Sequence, residues 1–342
     1  MTERAVAASG APHEAALPLR SLDRRWLLAL YAVVPLVCAV MVLDRLVLGS
    51  YLQRSVLPVV PEEYGLWTVL FGMPHVIAGL LTMADREYLG YYRRRFRWPL
   101  LGFGAISVAA ATGPGQLTFS IALWLGFYTV THLLTQQIGL TFTMLRKPSL
   151  AWMRLWKWTM LPLGVLVYAG LYLDTNFPTA SLGGFDPHAL VVLGGAALLV
   201  PLLMSTAVLA RRAVDRCAVV YVWGNWAMMA AVLAAFVWHY PVFIIIIPRI
   251  IHDLTAYLVY FNHDSNRNAQ RGHNLLYRRT RPSRKIAFWI LPTTSVGLAY
   301  ALQSNEFPLF IAINFFLTFM HYHIESVVWR RPHLHRQFLV LS

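Results

Sequence analysis

The sequence predicts an all-α fold, a polytopic helical bundle embedded in a membrane, and three observations lead there. Hydrophobic residues make up 58% of the chain and charged residues 13%, and the mean hydropathy is +0.53, far from the balance of a soluble domain. Apolar runs long enough to cross about 30 Å of hydrocarbon recur along the chain, bounded by charge or by Pro/Gly clusters. Basic residues gather in alternate loops, as the orientation of membrane helices requires.

Taken in order, the runs give about ten spans, near residues 27–48, 65–83, 98–113, 117–144, 158–173, 188–209, 218–238, 242–261, 286–303 and 307–329. The third is short and the fourth long, with Gly113-Pro114-Gly115 as a tight turn between them. Of 29 Lys and Arg residues, 26 fall in residues 1–26, 84–98, 145–157, 210–217, 262–285 and the tail after 329. The intervening loops hold almost none, and the 174–187 loop carries Asp174 and Asp186 instead. With positive charge retained inside, both termini are cytoplasmic and the number of spans is even. A net charge of +14 would suggest nucleic acid in a soluble protein; this alternation assigns it to membrane orientation, with no nucleic-acid partner.

Trp26, Trp98, Trp152, Trp156 and Trp329 cluster at the inner boundary, and Trp67 and Trp238 at the outer one, as interfacial anchors do. Residues 1–25 are polar and Ala-rich and read as a flexible cytoplasmic tail without the features of a cleavable signal; residues 26–342 read as a single transmembrane domain. Cys38 lies in the first span and Cys217 in a cytoplasmic loop, which supports neither a disulfide framework nor a thiolate metal site. A metal in this chain takes His, carboxylate or amide ligands.

Four histidines, His75, His132, His252 and His321, lie inside apolar runs, where an ionisable side chain is costly without compensation. All four sit on even-numbered spans, about 9 to 14 residues from the cytoplasmic end, or roughly 14 to 21 Å at about 1.5 Å per residue. Helices running in one direction thus present imidazole at one level, and imidazole is the commonest neutral metal ligand. For any one of them the alternative is a ring hydrogen-bonded to a neighbouring helix.

Each has a distinctive context. His75 follows Gly72-Met73-Pro74, and a proline within a span bends the helix and frees a carbonyl. Gln136, one turn from His132, is placed to orient its ring. Asn314, Thr318, His321 and Glu325 form one polar stripe on the last span, while His323 points away from it. Glu325 is near enough to the inner surface that a solvated carboxylate is the default, with ligand or proton-relay roles behind it. Arg249 and Asp253, four apart, neutralise one another as a structural pair. His252 is then the candidate ligand of its span, with Tyr257 and Tyr260 as proton donors or packing residues. His263 returns to nearly the same face about 16 Å lower, too far to share one ion with His252 in an unbroken helix.

Gly72-Met73-Pro74-His75 resembles the G-L-P-H element of the Brp/Blh family of bacterial membrane proteins, which includes β-carotene 15,15'-dioxygenases. Thr131-His132-Leu133 resembles that family's second histidine element, and Tyr260-Phe261-Asn262-His263-Asp264-Ser265-Asn266-Arg267 is similar to its Y-F…H-S-x-R stretch. The islands are short but keep their order through residues 70 to 325. The resemblance implies a bacterial cytoplasmic membrane, a non-haem Fe(II) held by histidines, and cleavage of a polyene by O2. Residue by residue, it implies metal ligands at His75 and His132, with His263 in the third element. There the family places two histidines four apart, whereas Arg267 stands four after His263. The substitutes open to this chain are His252 or His321, a different metal, or a centre that has lost catalysis. The segment from His252 to Arg267, with His321-Tyr322-His323-Ile324-Glu325 through Trp329-Arg330, also resembles a larger group of uncharacterised bacterial membrane proteins with H…Y…N-R and H-Y-x-x-D/E-x-x-x-W-R elements. That second likeness favours His252 over His263.

The leading expectation is a membrane oxygenase that uses O2 and Fe(II) on a hydrophobic small-molecule substrate, a carotenoid or another lipid. Two other classes stay open. A di-iron lipid desaturase or hydroxylase would normally carry repeated H-x-x-x-H and H-x-x-H-H boxes, of which only His321-Tyr322-His323 is reminiscent. A proton- or ion-coupled transporter would use the same buried groups, without a detected inverted repeat. The basic segment 262–285 is also a candidate contact for anionic lipid headgroups, although orientation already explains it.

Overall fold

The computed structural model describes residues 19–58, 72–145, 149–176, 186–269, 272–278, 284–302, 307–330 and 333–342. Helices dominate, and among the described residues pairing outside them is limited to isolated bridges. In chain order the helices are α1 (Arg24–Leu46), α2 (Met73–Thr82), α3 (Arg86–Thr112), α4 (Gly115–Met144), α5 (Leu150–Asn176), α6 (Pro187–Arg211), α7 (Arg216–Val237), α8 (Pro241–Arg267), α9 (Arg284–Ala301), α10 (Pro308–Val328) and the short α11 (Leu334–Gln337). Six of them, α1, α4, α6, α7, α8 and α10, are long and apolar enough to cross a membrane, and α2 is a shorter apolar helix. The chain is a multi-pass helical membrane protein. In α3 the cluster Arg93-Arg94-Arg95 and Arg97 fills the N-terminal half, so the helix is long but its apolar part is short.

Local chemistry sets the helix ends. Asp23, Asp85, Asp186 and Asp215 each accept a backbone N–H in the first turn of the helix that follows, satisfying an otherwise orphaned donor. Pro187, Pro241 and Pro308 occupy first turns, where the missing N–H costs nothing. Pro74 lies in the first turn of the described part of α2; what precedes Gly72 lies outside the described residues. The turn expected at Gly113-Pro114-Gly115 separates α3 from α4. In α1, Pro35 cannot donate to the Tyr31 carbonyl, and the preceding Leu30–Ala32 tightens into a 3-10 turn.

A large apolar core joins α1 and α4 to α8, and smaller clusters pack α2, α3, α9 and α10. Helices α2, α4, α8 and α10 touch along the seam between these cores. Of the expected aromatic anchors, Trp26 and Trp98 are exposed, but Trp156 is fully buried and donates to Thr206 Oγ1 at 3.0 Å. It is a core residue; Trp67 lies outside the described residues.

The chain ends are tied together. Leu22 N donates to Val340 O at 2.7 Å and Ser342 N to Leu22 O at 3.0 Å. Asn262 and Asn266, on the last turns of α8, accept from and donate to Arg20, Phe338 and Val340. The tail expected at 1–25 is therefore docked from Arg20 onward, and residues 1–18 lie outside the described residues. The other asparagines of the 262–274 run are also engaged internally: Asn268 accepts from His273 and Asn274 N–H, and Asn274 donates to Leu81 and Thr82 carbonyls.

His335, in this docked tail, stacks on His263 with ring centroids 4.8 Å apart and meets Tyr88 and Tyr92, with Trp329, His333 and Arg267 around it. Burial pushes its pKa down, and the neighbouring basic side chains, Arg267 among them, add to the effect. Above about 6.5 both docked and released tails carry a neutral imidazole; below it the released tail gains a proton that the docked tail refuses, so docking weakens as pH falls. Hydrogen exchange over residues 333–342, corrected for intrinsic rates, is expected to quicken roughly one unit below pH 6.5, and His335→Phe is expected to reduce that dependence, with His333, whose pKa burial also lowers, supplying the remainder. Equal protection on both sides would contradict it.

Candidate metal centre

His75 on α2, His132 on α4, His252 on α8 and His321 on α10 converge at the seam, with exposures of 1%, 9%, 0% and 0%. Their rings meet edge-on in a closed set: His75–His252 at 5.1 Å, His75–His321 at 4.7 Å, His132–His252 at 5.1 Å and His132–His321 at 5.5 Å between centroids. One ligand atom each from His132, His252, His321 and Glu325 lie within 4.8 Å of one another, and His75, His252 and Asp253 form an adjoining group of the same tightness. Tetrahedral donors about 2.1 Å from one ion lie about 3.4 Å apart, so closure onto a cation draws these side chains together by about an ångström.

The hydrogen bonds favour this use. Neither ring nitrogen of His252 and neither of His321 has a hydrogen-bond partner, although all four atoms are buried. A buried polar atom left unsatisfied costs about 1–3 kcal/mol, and here two neighbouring rings leave theirs unsatisfied in one place. The His75 Nδ1–H donates to the Gly72 carbonyl at 2.8 Å and lies 3.2 Å from Asp253 Oδ1. Because a carbonyl only accepts, Nδ1 carries the proton and Nε2 the lone pair, the arrangement that orients metal-binding imidazoles. The donor set therefore fits a divalent cation that takes nitrogen and oxygen ligands.

Two acids act differently from the sequence expectation. Glu325 is 7% exposed, not solvated; its Oε2 lies 3.0 Å from His132 Nε2 and its Oε1 4.0 Å from His321 Nε2, and Tyr260 Oη donates to Oε1. Asp253 does pair with Arg249, whose Nε donates to Oδ2 at 3.2 Å, but its other oxygen faces His75 and lies 4.0 Å from His252. Arg249–Asp253–His75 is thus one chain of contacts. Gln136 Oε1 is buried without a hydrogen-bond partner. His132 is instead fixed by Glu325 and by the ring of Tyr322, stacked at 4.3 Å.

His263 does not join the four. Tyr88 Oη meets its Nε2 at 2.9 Å and Asp264 Oδ1 its Nδ1 at 2.9 Å, so both ring nitrogens have protein partners. His323 faces Phe96 and Phe103, away from the cluster as expected. Tyr257 packs with Ala78, Ala256, Tyr260 and Leu291; Tyr260 and Tyr322 are the tyrosines in contact with the cluster.

Beside the centre lies a mostly apolar cavity of about 290 Å³ between α4, α5, α7 and α8. Pro248, which cannot donate to the Ile244 carbonyl, lines it on α8 together with Ile244, Ile245 and Arg249. Thr129, also in the lining, bonds Tyr322 Oη at 2.8 Å. A single layer formed by Thr129, Tyr322 and Arg249 thus separates the cavity from the histidines.

No family model matches the chain, and neither a curated protein nor a solved structure does. The fold and site define a multi-pass helical membrane protein with a buried histidine–carboxylate cluster.

Sequence reasoning did not single out Gly79, yet it lies four residues after His75 on the same face of α2. A Cβ there would lie 2.8 Å from both His321 Nδ1 and Tyr260 Oη. Gly79→Ala is expected to weaken divalent-cation binding at least tenfold, whereas Gly90→Ala, with nothing within 4 Å of the added carbon, leaves it unchanged. Isothermal titration of the chelated protein in detergent checks this pair, and equal affinities would show that the close approach at Gly79 is irrelevant to the cluster.

Proposed function

We propose that the protein is a membrane-embedded non-haem iron oxygenase acting on a hydrophobic substrate, a carotenoid or another lipid, with Fe(II) held by His75, His132, His252 and His321. The observation that carries this reading is the convergence of four buried imidazoles, two of which leave every ring nitrogen without a hydrogen-bond partner. The order of the Brp/Blh-like islands, which contribute His75 and His132, supports iron over other metals. Bound there, the metal would supply O2 activation in a site shielded from water.

The protein's own groups have separate parts in this reading. The Gly72 carbonyl holds the His75 tautomer, Asp253 stands beside its Nδ1, and Arg249 pairs with Asp253. Glu325 either completes the ligand set or keeps a proton shared with Tyr260 at the edge of the centre. The apolar cavity gives a water-insoluble chain a place next to the metal, and Tyr322 and Thr129 form the partition between them. His263 serves the docking of the tail.

The reading includes about ten crossings of a bacterial cytoplasmic membrane with both termini cytoplasmic. The hydrogen bonds between Leu22 and the 340–342 segment support an even number of crossings, since the start of α1 and the chain end share one side of the bundle. The alternation of Lys and Arg supports the cytoplasm as that side.

Purified in mild detergent and loaded with iron under anaerobic conditions, the protein is expected to hold near-stoichiometric iron by elemental mass spectrometry. His252→Ala/His321→Ala is expected to lose it while His263→Ala keeps it. The loaded wild type should consume O2 only with an apolar substrate, and the double variant should fall at least a hundredfold in that rate. A folded wild type that retains no iron would end the oxygenase reading and turn the cluster toward proton or ion transfer.

A further inference from the structure

The cavity beside the centre is not uniformly apolar. Leu125, Leu133, Met229 and Val232 give it aliphatic walls, but Arg249 is the one charged residue among its described lining. A guanidinium at this depth, about 12 Å along α8 from Pro241 at about 1.5 Å per residue, is costly unless it is paired. Its Nε is paired with Asp253 Oδ2, and Asp253 also faces His75.

The geometry shows what Arg249 can still accept. Its Nε pairs with Asp253 and it also bonds the Tyr322 side chain, but a guanidinium presents several N–H donors in a fork that matches a carboxylate, and Arg249 brings that fork to the wall of an otherwise uncharged cavity. A volume of about 290 Å³, at the small end of ligand pockets, suits one aliphatic chain and not the two chains and headgroup of a phospholipid.

We propose that this cavity binds a single-chain lipid carboxylate, of the fatty-acid class, with its carboxylate on Arg249 and its chain along Leu125, Leu133, Met229 and Val232. The proposal deepens the oxygenase reading by naming the class of substrate its site accepts, and it rests on that reading. The Thr129–Tyr322 pair would then stand between the carboxylate end of the chain and His132.

Binding of radiolabelled palmitate to the iron-loaded full-length protein in detergent, at a pH where palmitate is ionised, tests it, with hexadecanol, hexadecane and phosphatidylglycerol as competitors and iron content measured on each sample. Palmitate should bind at least tenfold tighter than hexadecanol, and phosphatidylglycerol should not displace it. Arg249→Gln should abolish the preference and Arg249→Lys should restore most of it. Ile245→Trp, which fills the cavity from a wall outside the cluster, should block binding while iron is retained. Equal binding of palmitate and hexadecanol, displacement by phosphatidylglycerol, or undiminished palmitate binding in Ile245→Trp overturns the proposal. Iron without a palmitate preference removes only this proposal; a palmitate preference without iron supports a carboxylate site on Arg249 and removes the oxygenase reading.

Discussion

Desolvation is the constraint on which the rest of this structure depends. Four imidazoles, two carboxylates and a guanidinium sit inside a bundle whose other side chains are overwhelmingly aliphatic or aromatic, and each polar atom there must find a partner or destabilise the fold. The partners are found in pairs and chains: Arg249 with Asp253, Asp253 with His75, Glu325 with His132 and Tyr260. The pairing is incomplete: His132 Nε2 and Asp253 Oδ1 stand in these contacts without a hydrogen-bond partner, and His252 and His321 leave both ring nitrogens without one. A bound cation is the simple way to complete it, because it satisfies several lone pairs at once and balances the acids.

The helices are arranged to bring these groups together. α2, α4, α8 and α10 come from distant parts of the sequence, and each contributes one histidine at the seam between the large core and the smaller clusters. Gly79 lets α10 approach α2 closely enough for His321 to reach the others. Asn262 and Asn266 pin both chain ends beneath α8, so the helix that carries Arg249, His252 and Asp253 is held from below as well as from its sides.

Much of this was legible in the sequence. The helical membrane class followed from composition, and the shared level of His75, His132, His252 and His321 followed from counting residues to each basic boundary; the structure places the four rings in contact. The separation of His263 from His252 and the opposite facing of His323 followed from helical periodicity. What failed were inferences that depend on neighbours. Glu325 was placed near the surface because distance along one helix says nothing about what covers its end. Asp253 looked fully spent on Arg249 because the i, i+4 pair is visible in sequence and the approach of α2 is not. Gln136 had the right spacing to orient His132, but Glu325 from α10 took that role. The docking of residues 20–24 against 340–342 joins the two ends of the chain and leaves no local pattern.

The account's central claim is that the histidines form one metal-binding centre. X-ray absorption at the iron edge of the loaded protein in detergent tests it most directly. The account predicts a nitrogen and oxygen coordination shell with the outer-shell scattering of at least three imidazoles, reduced by one imidazole in His252→Ala. A spectrum without imidazole scattering, or one unchanged by that substitution, would contradict it.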